Sequence, residues 1–353
     1  MNNTSAAEQV RKKQRIKHLL AVIVENLKEY FDELQVTKFG QKSRFIVLND
    51  ISTIHKVGSK GLQLVTATFN SEQGSLTLKI AIKSFDSPDE ALRNKMLTNR
   101  LATKLKDTGV LTPRVIFDYE SILIYEGIQG ETFYDSTIND KVKLQLTGEA
   151  LSKFHSTKLR PLDKERYVFI LKKVFQELIL PEERKRKLID LASNSFAKIL
   201  GSSSGTAGFG DFHPGNVLFS EETDDDGNER IQTWLIDPEY VEEEQSADRM
   251  EDVGTFFLHS AIDYYYKEGN LRALLTEIQS FIEGYERCLS IAGLSLYEIY
   301  KAYEVALTFH LGLNVLLEGL FLQKRGDMND EKTFDRMATC MALATHCWSL
   351  GLR

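Results

Sequence analysis

Ile16, Leu19, Leu20, Ile23, Leu27, Phe31 and Leu34 recur at helical spacing, with Glu25, Lys28, Glu29 and Glu33 filling the other face. The pattern predicts an amphipathic helical extension over residues 1–35. Arg11, Lys12, Lys13, Arg15 and Lys17 make its start basic, as a membrane-surface helix requires, but the acids from Glu25 onward favour packing on the next domain. From about residue 36 the period shortens. Leu62–Phe69 and Leu76–Phe85 are apolar, β-branched runs joined by Asn70-Ser71-Glu72-Gln73-Gly74, which predicts a hairpin. Ser87-Pro88-Asp89-Glu90 then supplies an N-cap, a proline at the first helical position and a capping-box glutamate. A helix follows to about Lys106 and stops at Gly109. Val115–Phe117 and Ile122–Tyr125 read as two further short strands.

Residues 36–130 thus form a small strand-rich unit with one inserted helix. Beyond Gly130 helical spacing dominates, in Val142–His155, in Tyr167–Leu200 with a break at Pro181, and in residues 250–353. Leu307–Leu322 is apolar on nearly every side and belongs in a core. A strand-rich island, Gly208–Tyr240, interrupts the helices. The expected architecture is α+β and two-lobed: a β-rich lobe over 36–130 and a larger, mostly helical lobe over 131–353. Clefts between such lobes commonly hold ligands.

The 353 residues are 42% hydrophobic and 27% charged, a globular balance that excludes a wholly disordered or fibrous chain. A net charge of −7 argues against a bulk-electrostatic grip on nucleic acid. Cys288, Cys340 and Cys347 lack CxxC spacing and predict a reduced, intracellular chain. The longest apolar run near the start, Leu19–Val24, is far too short to cross a bilayer. The expectation is a cytoplasmic protein with no membrane span and no nucleic-acid partner.

Candidate chemistry gathers in the island, at Gly210-Asp211-Phe212-His213-Pro214-Gly215-Asn216-Val217-Leu218-Phe219 and Leu235-Ile236-Asp237-Pro238-Glu239-Tyr240. Asp211 enters a loop before a strand, Asn216 leaves that loop, and Asp237 ends the return strand, so three oxygen-bearing side chains converge. Phosphoryl transfer from a magnesium nucleotide needs this set: one carboxylate to orient a hydroxyl and take its proton, and an amide oxygen and a second carboxylate for hard Mg²⁺.

These motifs resemble the aminoglycoside phosphotransferase and choline kinase group of the protein-kinase-like superfamily. GDFHPGNVLF is similar to its catalytic loop, and LIDPEY to its metal-binding segment, in which Asp-x-Glu replaces Asp-Phe-Gly. The resemblance implies a kinase-like fold over roughly residues 36–350, Asp211 as catalytic base, Asn216 and Asp237 as Mg²⁺ ligands, and Glu239 as a further metal contact. It implies that Lys83 on the third strand reaches the nucleotide phosphates, with Lys79 on the same strand as a rival. Gly58-Ser59-Lys60-Gly61 would cover those phosphates through Gly58 and Gly61, or would be a plain hairpin turn. Tyr125–Gly130 resembles the inter-lobe hinge, whose backbone at Glu126 and Ile128 would bind the adenine edge. His155 would pack and hydrogen-bond rather than catalyse, and Asp252 would brace the catalytic loop.

Three features depart from the family pattern. Phe209 stands where the family usually has a histidine. Glu90 is the glutamate available to pair with Lys83, yet it sits in the first helical turn, where a capping role suffices. Glu221–Arg230 lengthens the hairpin between Asn216 and Asp237; its acids lack EF-hand spacing and read as a solvated turn. His310 and Glu318 read as core residues, and Tyr264-Tyr265-Tyr266 as packing, unless the acceptor is a quaternary amine, when that run and Trp348 merit testing.

The expected function is a small-molecule kinase that uses Mg²⁺ to transfer the γ-phosphate of ATP to a hydroxyl of a metabolite, amino-sugar-like or choline-like acceptor. GTP as donor is left open, as are the acceptor and the oligomeric state. The alternative is a catalytically impaired nucleotide-binding regulator. A protein kinase is disfavoured because Ala-Pro-Glu is missing after Asp237.

Overall fold

The computed structural model describes residues 46–57, 62–126, 130–155, 160–200, 204–223, 227–239, 246–287, 296–325 and 330–350. The N-terminal extension over residues 1–35, Gly58 and Gly61, Ile128, and Cys288 lie outside the described residues. The chain divides into two compact units. One runs up to Thr103 and resumes at Leu111–Gly130; the other comprises Lys104–Val110 and everything from Glu131.

The first unit is built on β1 (Ile46–Val57), β2 (Leu62–Ser71), β3 (Gly74–Ser84), most of α1 (Pro88–Leu105), β5 (Val115–Tyr119) and β6 (Ile122–Glu126), while β4 (Val110–Leu111) falls at the division between the units. Five of the strands form an antiparallel sheet in the order β1-β2-β3-β6-β5. The predicted hairpin closes between Ser71 and Gly74, and both its strands run two residues further into the turn than apolar runs alone suggest. Period-two alternation places Val65, Ala67, Phe69, Leu76, Ile80 and Ile82 on one buried face. Ala91 from α1 packs on the other face with Leu123 and Tyr125. The helix begins as its sequence requires: Ser87 Oγ accepts from the Glu90 amide at 3.2 Å, and the Glu90 carboxylate accepts from the Asp86 amide at 3.1 Å.

The second unit holds β7 (Glu131–Thr132), α2 (Asp140–His155), β8 (Arg160–Pro161), α3 (Lys164–Glu177), α4 (Glu182–Ile199), β9 (Ser204–Ala207), β10 (Val217–Thr223), β11 (Glu229–Leu235) and β12 (Ser246–Asp248). Then come α5 (Arg249–Phe256), α6 (Leu258–Glu268), α7 (Arg272–Arg287), α8 (Leu296–Arg325) and α9 (Glu331–Leu350). Pro181 does break the stretch after Tyr167, standing as the N-cap of α4. Small sheets, β4-β11-β10-β7 and β12-β9-β8, hold the island against the helices. In α8, Leu307, Phe309, Leu311, Val315 and Leu316 are buried, as all-round apolarity predicts. Tyr303–Arg325 is long and apolar enough to cross a membrane, but 67% of that window is buried inside the protein, the state of a core helix. Helices α2 and α7 cross so closely that a Cβ on Gly284 would stand 1.9 Å from the Gln145 carbonyl oxygen, and this contact brings Tyr285 to the end of α2. Cys340 and Cys347 on α9 are buried free thiols, each pushed up to about 12 by burial and so inert.

Candidate active site

The loop from Gly208 to Asn216 alternates between anchors and exposed groups. Phe209 and Phe212 are fully buried, their rings 5.4 Å apart at 76°. Phe209 meets Phe154 edge-on at 5.5 Å, and Phe212 lies 5.6 Å from Phe256. Between the anchors Gly210 takes φ 92°, a left-handed conformation that costs a glycine little. Asp211 is consequently turned outward, its side chain 46% exposed. Pro214–Asn216 closes the loop as one 3₁₀ turn, capped by His213 Nδ1, which accepts from the Gly215 amide at 3.0 Å. In a neutral His213 the proton therefore rests on Nε2, the nitrogen 3.6 Å from Asp211 Oδ2. Asn216 is buried, and its amide nitrogen donates to the Asp211 carbonyl at 2.9 Å. That bond uses the NH₂ group, so Oδ1 is the atom of Asn216 that could hold a metal ion.

Asp252 braces the loop from behind. Its Oδ2 accepts from the Phe209 amide at 2.8 Å and its Oδ1 from the Gly210 amide at 3.0 Å. His155, at the end of α2, places Nε2 2.9 Å from Asp252 Oδ2 and Nδ1 2.8 Å from the Tyr285 hydroxyl. Burial lowers the pKa of His155 against the opposing pull of Asp252, and burial raises Tyr285 well above the ordinary phenol value. A neutral imidazole and a protonated phenol fit one arrangement: Nε2–H donates to Asp252, and Nδ1 accepts from Tyr285. His155 is thus a structural hydrogen-bonding residue, and Phe209 leaves the loop fully anchored.

Asp237 follows the return strand β11. Two backbone bonds bracket it: the Ile236 amide donates to the Asn216 carbonyl at 3.1 Å, and the Glu239 amide to the Phe209 carbonyl at 3.1 Å. The two ends of the Asp211 loop are therefore tied to the residues on either side of Asp237. Its φ of 56° is left-handed, a conformation that costs a non-glycine residue about 1–2 kcal/mol and that aspartate tolerates better than most. Glu239 is exposed, and Tyr240 lies outside the described residues. Of the inserted acids, Glu221 and Glu222 on β10 and Glu229 on β11 are exposed, and Asp224–Asp226 lie outside the described residues.

In the first unit, Lys83 is buried while Lys79, four residues earlier on the same face, is exposed. The Lys83 ammonium lies 5.3 Å from the centre of the Phe85 ring, opposite Leu123 on β6. Glu90 is exposed and its carboxylate caps α1. The Glu126 amide already donates to the Arg114 carbonyl at 2.9 Å, and its carboxylate accepts from the Arg114 amide at 2.9 Å, so its backbone can offer a base edge only the carbonyl. Among the described residues no group of three or more His, Cys, Asp or Glu side chains could hold a metal ion by itself. A hard oxygen set of one amide and carboxylates, completed by water and phosphate, suits Mg²⁺ without such a cluster.

Sequence reasoning missed two groups here. His213 lay inside the quoted motif without a role, and its capping bond and approach to Asp211 supply one. Tyr285 stands 130 positions from His155, and no local signal links them.

No family model matches the chain, and no curated protein matches it in sequence. Solved structures do. Amicoumacin kinase hAmiN, in complex with AMP-PNP, Ca²⁺ and Ami, is similar over 91% of this chain and 95% of its own, at 12% identity and a TM-score of 0.52. The macrolide 2′-phosphotransferase MphH from Brachybacterium faecium, an apoenzyme, is similar over 90% of this chain and 97% of its own, at 13% identity and a TM-score of 0.50. An ethanolamine kinase from Plasmodium vivax shares 15% identity over 80% of this chain and 78% of its own, with a TM-score of 0.49. The first two likenesses show the fold alone: this chain has a kinase-like fold, with a small antiparallel-sheet unit and a larger, mostly helical one.

Proposed function

We propose that the protein is a small-molecule kinase, transferring the γ-phosphoryl group of ATP to an acceptor hydroxyl. The observation that carries this reading is the pair of backbone bonds that tie Asp237 to both ends of the loop bearing Asp211 and Asn216. The two solved kinase structures above share the fold and support the same reading.

Asp211 is outward-facing and acts as base: its carboxylate accepts the hydroxyl proton as the acceptor oxygen forms its bond to the γ-phosphorus. The bond from that phosphorus to the bridging oxygen breaks, and ADP leaves with the electron pair. Asn216 Oδ1 and the Asp237 carboxylate, with Glu239 beside them, would hold Mg²⁺, which when bound supplies charge neutralisation to the phosphates. Lys83 contacts the phosphates, and the Glu126 carbonyl accepts from the base.

The test is product formation. The protein is incubated with Mg-ATP and a polar metabolite extract, with Asp211→Ala alongside. A metabolite heavier by one phosphoryl group, formed only by the unmutated protein, is the expected result. Asp211→Ala lowers kcat by about 10²–10⁴. Equal turnover by the variant would remove Asp211 as base. No product from either, with ATP still raising the melting temperature, would make the protein a nucleotide-binding regulator.

A further inference from the structure

Helices α3 and α4 both pack on α8 and leave a concave groove between them in the second unit. The cavity measures about 670 Å³, within the range of small-molecule sites. Its apolar floor and walls include Leu171, Phe175, Ile189, Phe196 and Leu200. Polar lining is confined to Lys172, Gln176, Lys185 and Ser193. The connection between the helices is only Leu178–Pro181, so Gln176 and Lys185 mark the end of the groove beside that turn, while Val168, Ala197 and Leu200 lie toward the other end. The groove therefore carries Lys185 near the turn and Lys172 midway along α3, with its far end apolar.

Its charge runs against that of the whole chain. Lys172, Lys173, Arg184, Lys185, Arg186 and Lys187 cluster on these two helices in a protein of net charge −7. Neither Lys172 nor Lys185 has an ion-pair partner among the described residues. An unpaired ammonium at the edge of an apolar trough is complementary to an anionic head carrying an apolar tail. Along α3 the lining from Val168 to Gln176 is about 12 Å long. That is short for a docked amphipathic helix, which needs roughly 12–15 residues, or about 20 Å, to be worth forming.

We propose that this groove binds a free fatty acid, its carboxylate on Lys172 and Lys185 and its acyl chain running toward Ala197 and Leu200. The site is separate from the Asp211 loop and stands or falls independently of the kinase reading.

Titration calorimetry with dodecanoate, held below its micelle-forming concentration, tests it. The expected result is saturable one-to-one binding. Dodecanol and dodecyltrimethylammonium bind at least about tenfold more weakly, because only the carboxylate pairs with the lysines. Lys172→Glu with Lys185→Glu weakens dodecanoate by about tenfold or more, whereas Lys187→Glu, outside the lining, does not. Ala197→Trp fills the tail end and abolishes binding; Ser193→Phe is its substitute if the tryptophan variant melts early. Equal affinity for dodecanol, or unchanged affinity in the double lysine variant, would overturn the proposal. So would failure to bind dodecanoate by a protein that sediments with anionic phospholipid vesicles, since the basic face would then belong to a membrane surface.

Discussion

The second unit buries two histidine–aspartate pairs, and they do different things. In His155–Asp252 both ring nitrogens and both carboxylate oxygens are engaged: Nε2 meets Asp252 at 2.9 Å, Nδ1 meets Tyr285 at 2.8 Å, and the two oxygens also hold the Phe209 and Gly210 amides. In His310–Asp248 the ring nitrogen stands 3.4 Å from Asp248 Oδ1, close enough for charge attraction, yet neither ring nitrogen makes a hydrogen bond. His310 is instead seated among rings, 5.3 Å from Tyr167 and 5.1 Å from Phe309. Asp248 spends its Oδ1 on the Met250 amide as the N-cap of α5. Residue types and burial are the same in both pairs. The difference lies in whether the aspartate faces a loop backbone that something else depends on. A fully satisfied buried network specifies one geometry, and a half-satisfied pair does not.

The sharpest way to break the contrast is Asp252→Ala. It strands the buried Phe209 amide, the part-buried Gly210 amide and an imidazole N–H at once, so a stability loss of about 3–5 kcal/mol is expected in urea unfolding. Any phosphotransfer the protein performs falls with it, because the Asp211 loop loses its brace. An Asp252→Ala protein with unchanged unfolding midpoint would mean that the loop holds itself through Phe209 and Phe212 alone.

His155→Gln has the next largest effect, and its signature is the pH profile. Burial holds the folded pKa of His155 below its value in the unfolded chain, about 6.5. The unfolded state then binds the proton more readily, so the stability this residue contributes is present above about pH 6.5 and is lost as pH falls through that value toward the folded pKa. Thermal melts from pH 8 to 5 should show the unmutated protein losing more stability over the acid limb than His155→Gln. At pH 8 the variant is the weaker by about 1–3 kcal/mol, having lost the imidazole between Asp252 and Tyr285. Parallel melting curves across that range would assign the acid sensitivity to other groups.

What was legible in the sequence follows the range of the interaction. The β2–β3 hairpin, the start of α1 at Ser87 and the break at Pro181 are set by residues within a few positions of one another, and each is where its local signal puts it. The loop carrying Asp211 and Asn216 was legible for the same reason, as a contiguous motif whose glycine and two aromatic anchors fix its shape. Asp252 could be matched to the loop only through family resemblance, since it lies 43 positions from the amide it holds. Tyr285 was invisible, because it reaches His155 through the close crossing at Gly284, a property of two helices together. The groove between α3 and α4 was hidden likewise: amphipathic spacing marks Leu171 and Phe196 as apolar, but only packing on α8 decides that part of that surface stays uncovered.

The smallest effect belongs to the second pair. His310→Leu swaps a buried imidazole without hydrogen bonds for a side chain of similar size in an apolar, aromatic surround. Asp248 keeps its cap on α5 and its amide bond to the Tyr167 hydroxyl at 2.9 Å, so no aspartate oxygen loses a partner it was using. A stability change within about 1 kcal/mol is expected, and removing a buried polar group that lacks a hydrogen bond can even stabilise. Turnover should be unaltered. A loss as large as that of Asp252→Ala would show that the 3.4 Å approach is a true buried ion pair, and that the two histidine–aspartate pairs are alike after all.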